Sequence, residues 1–181
     1  MNLNLNFMNQ QSIPVQPYIL KYGALLGAIT VTFSIMLHIM EMDYQQPPAA
    51  AIVSIASIIA LIIFAFLQYK KDNEGFISLG EALKIGLGIG LISGLLGVVY
   101  LFVLTTFIDP DFISKLLDFQ QAKMQQTNPN MTQEQLDQMR SMQEKFSSPL
   151  ISGAFQIISS LFISFIISLI GGLIVKKSRP E

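Results

Sequence analysis

The only histidine in the chain, His38, stands one helical turn before Glu41, and two further acids, Asp109 and Asp111, bracket Pro110. These residues come nearest to a chemical arrangement. A zinc peptidase needs paired histidines on one helix, and a serine hydrolase needs a histidine beside a nucleophile with an acid to orient it. One histidine supplies neither, so His38 is expected to make an interfacial hydrogen bond. An aspartyl mechanism needs two carboxylates in one enclosed site, yet none of the twelve acids lies deep in an apolar run. A lipid-headgroup enzyme would have to draw on Glu41, Asp109 and Asp111, and helix initiation already accounts for the last two. Met124, Met131, Met139 and Met142 present thioethers of the kind that hold Cu(I), but methionines at helical spacing serve as packing. No catalytic residue, cofactor or metal is therefore expected, and the protein is not expected to be an enzyme.

The elements that would position such residues are dominated by four stretches free of Asp, Glu, Lys and Arg: Tyr22–Met40, Tyr44–Tyr69, Ile85–Ile108 and Phe146–Val175. The shortest has 19 residues, and a hydrocarbon layer of roughly 30 Å takes about 20 residues of helix. Hydrophobic residues make up 51% of the chain and charged ones 13%, which leaves no room for a separate soluble domain. The expected fold is all-α, a four-helix transmembrane bundle with an extracytoplasmic amphipathic helical hairpin between spans 3 and 4. Residues 1–20 are expected to be a flexible cytosolic tail. Residues 21–177 form a single membrane domain with spans at about 22–40, 49–68, 85–108 and 150–175 and the hairpin at 110–146. With no cysteine, disulfides and thiolate chemistry are excluded, and a net charge of −1 without a basic stripe argues against nucleic acid as a partner.

Lys21, Lys70, Lys71, Lys84, Lys176, Lys177 and Arg179, seven of the eleven basic residues, fall on the side that holds both termini. The positive-inside rule then places both termini in the cytoplasm of a multi-pass protein. Ser78 and Glu81 match a capping box that starts the third helix near Leu79. Asp109 is expected to cap a helix that Pro110 opens, and Thr132 with Gln135 forms a second capping box after the break at Asn128-Pro129-Asn130. Phe112, Ile113, Leu116 and Leu117 on one hairpin helix, and Leu136, Met139, Met142 and Phe146 on the other, make apolar faces. These faces pack on each other, lie at the membrane surface or dock a partner.

Gly86, Gly90 and Gly94 recur every fourth residue in the third span, as do Ser160, Ser164, Ser168 and Gly172 in the fourth. Such rows let backbones approach closely, so the two faces are expected to meet, or one of them to mediate a homodimer. Lys21-Tyr22-Gly23 with Gly27 parallels Lys84-Ile85-Gly86 with Gly90, and Lys70-Lys71 parallels Lys176-Lys177, which suggests a duplicated two-helix hairpin.

The run Phe76-Ile77-Ser78-Leu79-Gly80-Glu81-Ala82-Leu83-Lys84-Ile85-Gly86, followed by Phe107-Ile108-Asp109-Pro110-Asp111-Phe112, resembles an uncharacterised bacterial family known only as a domain of unknown function. Its members are small four-span inner-membrane proteins, frequent in Gram-negative bacteria of the gut and sea. The resemblance covers about Lys21 to Lys177, implies architecture and a bacterial inner-membrane location, and transfers no site. The expected role is a non-enzymatic scaffold or accessory module acting through helix packing or the outer hairpin. Its partners would be the lipid bilayer and either a second copy or another membrane protein. The alternative is a small oligomeric channel or carrier for a neutral or apolar solute; ion-coupled transport is disfavoured because no ionisable residue sits at membrane depth. If the spans are correct, the chain stays in the membrane pellet through an alkaline carbonate wash; release into the supernatant would refute them.

Overall fold

The computed structural model describes residues 12–45 and 47–178. Helix α1 (Gln16–Ile39) carries Pro17 in its first turn, where no intrahelical N–H is needed, and α2 (Pro48–Asp72) opens on a proline for the same reason. Helix α3 (Leu79–Val103) begins with both halves of the anticipated capping box: the Ser78 hydroxyl accepts from the Glu81 N–H at 3.2 Å, and the Ser78 N–H donates to the Glu81 carboxylate at 2.7 Å. A π-helical turn, Leu104–Ile108, ends it. Helices α4 (Phe112–Thr127) and α5 (Gln133–Phe146) form the hairpin, and α6 (Pro149–Val175) is the last helix among the described residues. The Thr132–Gln135 capping box is present at the start of α5.

The described residues are all-helical apart from a single backbone bridge. Four helices (α1, α2, α3 with its π turn, and α6) are long and apolar enough to cross a bilayer, giving a multi-pass membrane architecture. Between 17% and 28% of the most apolar stretch of each is buried inside the bundle, so most of each helix faces outward, as lipid requires. The helices overrun the charge-free stretches at their basic ends: Lys21, Lys70, Lys71 and Lys84 are all helical, because a long aliphatic stem lets an ammonium reach water from a position inside the span. The loose segment anticipated up to residue 20 does not extend past residue 15. Helix α1 starts at Gln16, and Ile13 and Val15 pack on the core. Residues 1–11 and Arg179 lie outside the described residues.

Small residues decide which helices touch. A Cβ on Gly86 would collide with the Ser168 side chain, one on Gly90 with Ser164, and one on Gly94 would press on Ser160 at 3.3 Å, so the two rows meet in antiparallel register. The Ser160 hydroxyl donates to the Gly90 carbonyl at 2.8 Å, a bond worth about 0.6 kcal/mol in a membrane. With the rows spent inside one chain, neither remains to pair two copies. On its other side α3 receives α1, where Gly23 and Gly27 accommodate Ile92 and Leu96, and Gly88 accommodates Ile19. Helix α3 is thus the central member, and α1 leans on it more than on α2. The two hairpins of the suggested duplication are therefore not packed alike. Helix α2 closes the bundle with Ile62, Ala65, Phe66 and Tyr69, all fully buried.

Two helix ends stop in the same way. Glu74 (φ 57°) and Glu41 (φ 55°) occupy left-handed positions just past α2 and α1. The next N–H bonds back, Gly75 to the Lys70 carbonyl at 2.7 Å and Met42 to the Leu37 carbonyl at 2.9 Å, which is the Schellman pattern.

Replacing Gly86 with alanine should destabilise the protein by about 1–3 kcal/mol through overpacking against Ser168. Gly80→Ala, in the first turn of α3 with open space around it, should leave stability unchanged or raise it slightly. Chemical or thermal unfolding in one detergent measures both; equal effects would contradict the packing described.

Candidate functional site

Polar side chains gather at both ends of the bundle, and the two gatherings differ in how completely they are satisfied. At the basic end the groups close on one another. The buried Tyr69 hydroxyl, with one proton to give, lies 2.7 Å from Glu81 Oε1 and 3.0 Å from the Ile13 carbonyl. Tyr18, edge-on to the Tyr69 ring at 5.2 Å, donates to Asp72 at 2.7 Å. The buried Asn73 accepts from the Ile13 N–H and donates to the Phe76 carbonyl. Ile77 and Lys177 exchange both backbone hydrogen bonds, at 3.1 and 2.9 Å, and Lys70 Nζ caps the Val175 carbonyl at 2.8 Å. This knot ties all four spanning-helix ends together, its groups partnered within the described residues.

The opposite end is open. His38 Nδ1 lies 2.7 Å from Asp43 Oδ2, so the interfacial hydrogen bond expected of the histidine exists, with Asp43 rather than Glu41 as its partner. The reason is the helix stop, which sends the chain past Glu41 in a left-handed conformation and brings Asp43 back over the last turn of α1. Asp109 does not cap α4. Asp111 occupies that position without a side-chain bond, Pro110 precedes the helix, and both Asp109 oxygens accept from Lys115 Nζ at 2.9 Å. The π turn carries the chain to Asp109, whose N–H donates to the Leu104 carbonyl at 2.8 Å, so the residue ends α3; its carboxylate is taken by Lys115, and α4 starts later with Asp111 at the cap position. The Asp109 carboxylate holds the Lys115 ammonium above its ordinary pKa.

These residues surround a chamber of about 600 Å³ bounded by His38, Glu41, Asp43, Tyr44, Asp109 and Lys115. Asp43 also lines a narrower recess of about 230 Å³ that descends between α1, α3 and α6. Its polar lining is Thr30, Ser34, Tyr100 and Gln156, with Phe112 of α4 also on the wall. The Thr30 hydroxyl is used by the Leu26 carbonyl at 2.8 Å. Sequence reasoning passed over this constellation. The available signal was an amide in the fourth span opposite Gly97, together with hydroxyls spaced one turn apart at Thr30 and Ser34.

Above the chamber stands the hairpin. Helix α4 rests on the α1–α2 turn through Phe119, edge-on to Tyr44 at 5.9 Å. Leu117 and Leu136 are buried between α4 and α5, and Arg140 reaches across to Asp118 and Gln121. The facing expected of the two helices is therefore present, but incomplete. Met142 and Phe146 remain 63% exposed beside a groove of about 350 Å³ that Leu116 and Met139 also line. Met124 lies on α4 and Met131 in the connecting turn. Among the described residues no group of His, Cys, Asp and Glu suited to a metal ion occurs.

Tyr69→Phe should cost about 1–3 kcal/mol, because Glu81 and the Ile13 carbonyl lose a buried donor. Tyr100→Phe, which removes a hydroxyl with no hydrogen-bond partner among the described residues, should be close to neutral for folding. Unfolding midpoints of the two variants in the same detergent decide the matter; an equal loss would show that the two ends do not differ in satisfaction.

The model of a family described as "Protein of unknown function (DUF4199)" matches residues 21–177, and the chain belongs to that family. No curated protein and no solved structure matches it.

Proposed function

We propose that this DUF4199 member is a non-enzymatic accessory module of a bacterial inner membrane, with both termini in the cytoplasm and the α4–α5 hairpin presented on the opposite side to a membrane-protein partner. The observation that carries this reading is the hairpin's incomplete burial. Helix α5 packs chiefly on α4 rather than on the bundle, and it leaves Met142 and Phe146 uncovered. A helix held outside the membrane by two connections, with an apolar edge and a charged face, is suited to binding another chain. The orientation is supported by Lys21, Lys70, Lys71, Lys84, Lys176 and Lys177, which all lie at the end away from the hairpin.

The alternative, a small oligomeric channel or carrier for a neutral or apolar solute, draws on the recess as an entry. Beneath it, the Gly27–Leu96 and Gly90–Ser164 contacts speak against a path through a single copy.

Photo-crosslinkable residues at Gln138 and Ser141 of α5, introduced into cells of the natural host, should yield a discrete adduct that is absent when the probe sits at Phe162 on the outward face of α6. Failure at both α5 positions, under conditions that capture a known complex, would refute the reading. Because the chain has no cysteine, single cysteines report sidedness cleanly. One at Gln138 should react with an impermeant maleimide added outside the cytoplasm, and one at Gly75 only after the membrane is opened. The reverse pattern would invert the proposed orientation.

A further inference from the structure

Gln156 lies seven residues beyond Pro149 at the start of α6, roughly 10 Å along the helix. A primary amide has two donors and an acceptor, and hydrocarbon supplies partners for none of them. Polar side chains in spans ordinarily find one another across helices. Among the described residues Gln156 finds none, and neither does the hydroxyl of Ser34 or Tyr100 in the same recess. Its position is provided for, since a Cβ on Gly97 would meet the amide nitrogen, and glycine there leaves the side chain room against α3. The outer chamber, which shares Asp43 with the recess, sets the carboxylates of Glu41, Asp43 and Asp109 against the ammonium of Lys115 and the imidazole of His38, so that acids outnumber bases. Glu41 holds its carboxylate there from a left-handed backbone position (φ 55°) where glycine would relieve strain.

We propose that chamber and recess form one binding site for a small organic ammonium compound that also bears a hydroxyl or amide group. The charged nitrogen lies among Asp43, Glu41 and Asp109, and the uncharged part bonds to Ser34, Tyr100 and Gln156. An ammonium balances the carboxylate excess through charge-assisted bonds, which strengthen away from bulk water. The volumes suit a small molecule, about 230 Å³ for the uncharged part below a mouth of about 600 Å³. Phe112 and Lys115 bring α4 to the same walls, so an occupant bridges the bundle and the hairpin. A free amino alcohol from solution offers both groups; the amino-alcohol headgroup of a phospholipid shares the ammonium and presents a phosphoester oxygen, an acceptor, in place of the hydroxyl.

The test uses the full chain in phosphatidylglycerol nanodiscs, titrated calorimetrically with ethanolamine and, as the neutral counterpart, with 1,2-ethanediol. Ethanolamine should bind saturably and raise the melting temperature, with ethanediol at least about tenfold weaker. Asp43→Asn and Gln156→Leu should each weaken ethanolamine binding roughly tenfold. Glu41→Gly should also weaken it while raising the melting temperature of the unliganded protein, a combination that damage to the fold does not produce. A second arm replaces part of the phosphatidylglycerol with phosphatidylethanolamine. If only that arm gives a rise in melting temperature that the same substitutions abolish, the ligand is the headgroup and the site stands. Absence of binding in both arms, indifference to all three substitutions, or equal binding of ethanediol would each overturn the proposal.

Discussion

In a bilayer, two apolar helices gain nothing from contact that lipid tails do not already give them, so association rests on close fit and on internal hydrogen bonds. In this protein the fit is concentrated on α3. Its glycines admit the serine row of α6 on one side, and the glycines of α1 admit its isoleucine and leucine on the other. The seam between α3 and α6 is the contact on which the remaining arrangement depends. It fixes the antiparallel register of the two helices, brings Gln156 level with Gly97, and sets the end of α3 where the π turn can redirect the chain into the hairpin. Most other apolar side chains on the spans point outward and contribute to solvation in lipid more than to shape.

The two ends of the bundle express one principle with opposite outcomes. Backbone groups freed at helix termini, and polar side chains near them, need partners. At the basic end Tyr69, Glu81, Asn73 and the Ile77–Lys177 bridge supply them from within the chain. At the other end the connections are occupied with stopping helices. Glu41 turns α1, Asp109 finishes the π turn, and Asp43 is drawn inward to His38. What remains is a polar depression to which α4 contributes Phe112 and Lys115.

Much of the architecture was legible in the residues. The spans follow from charge-free length, and the starts of α3 and α5 from capping boxes that depend on neighbours three residues apart. The pairing of α3 with α6 follows from fourfold spacing of small residues, a local signal that survives because lipid-embedded helices have few other ways to pack. The failures share a cause. Asp109 has the sequence of a helix cap, but a π turn that nothing local announces leaves it at the end of α3, and its carboxylate is taken by Lys115. His38 makes the interfacial hydrogen bond its position suggests, but the partner, Asp43, comes within reach only through the left-handed stop at Glu41, which nothing local announces either. Gln156, Ser34 and Tyr100 meet only once three helices have been brought together, so their recess belongs to the tertiary fold and leaves no periodic mark. The attachment of residues 13–15 to the basic end is likewise a tertiary event, made by Asn73 and Tyr69 some sixty residues away.

The order of elements also has a kinetic side. The glycine face of α3 is complete when Val103 has been made, yet the helix that fills it begins only at Pro149, after the 45 residues from Leu104 to Ser148. At about 5–20 residues per second of synthesis, that groove lies open to the bilayer for at least some two to nine seconds before α6 begins to be made. During that interval any helix with a small-residue stripe competes for the place of α6, and the length of the intervening hairpin acts as a timer on how long the ribosome-bound chain is exposed to mispairing.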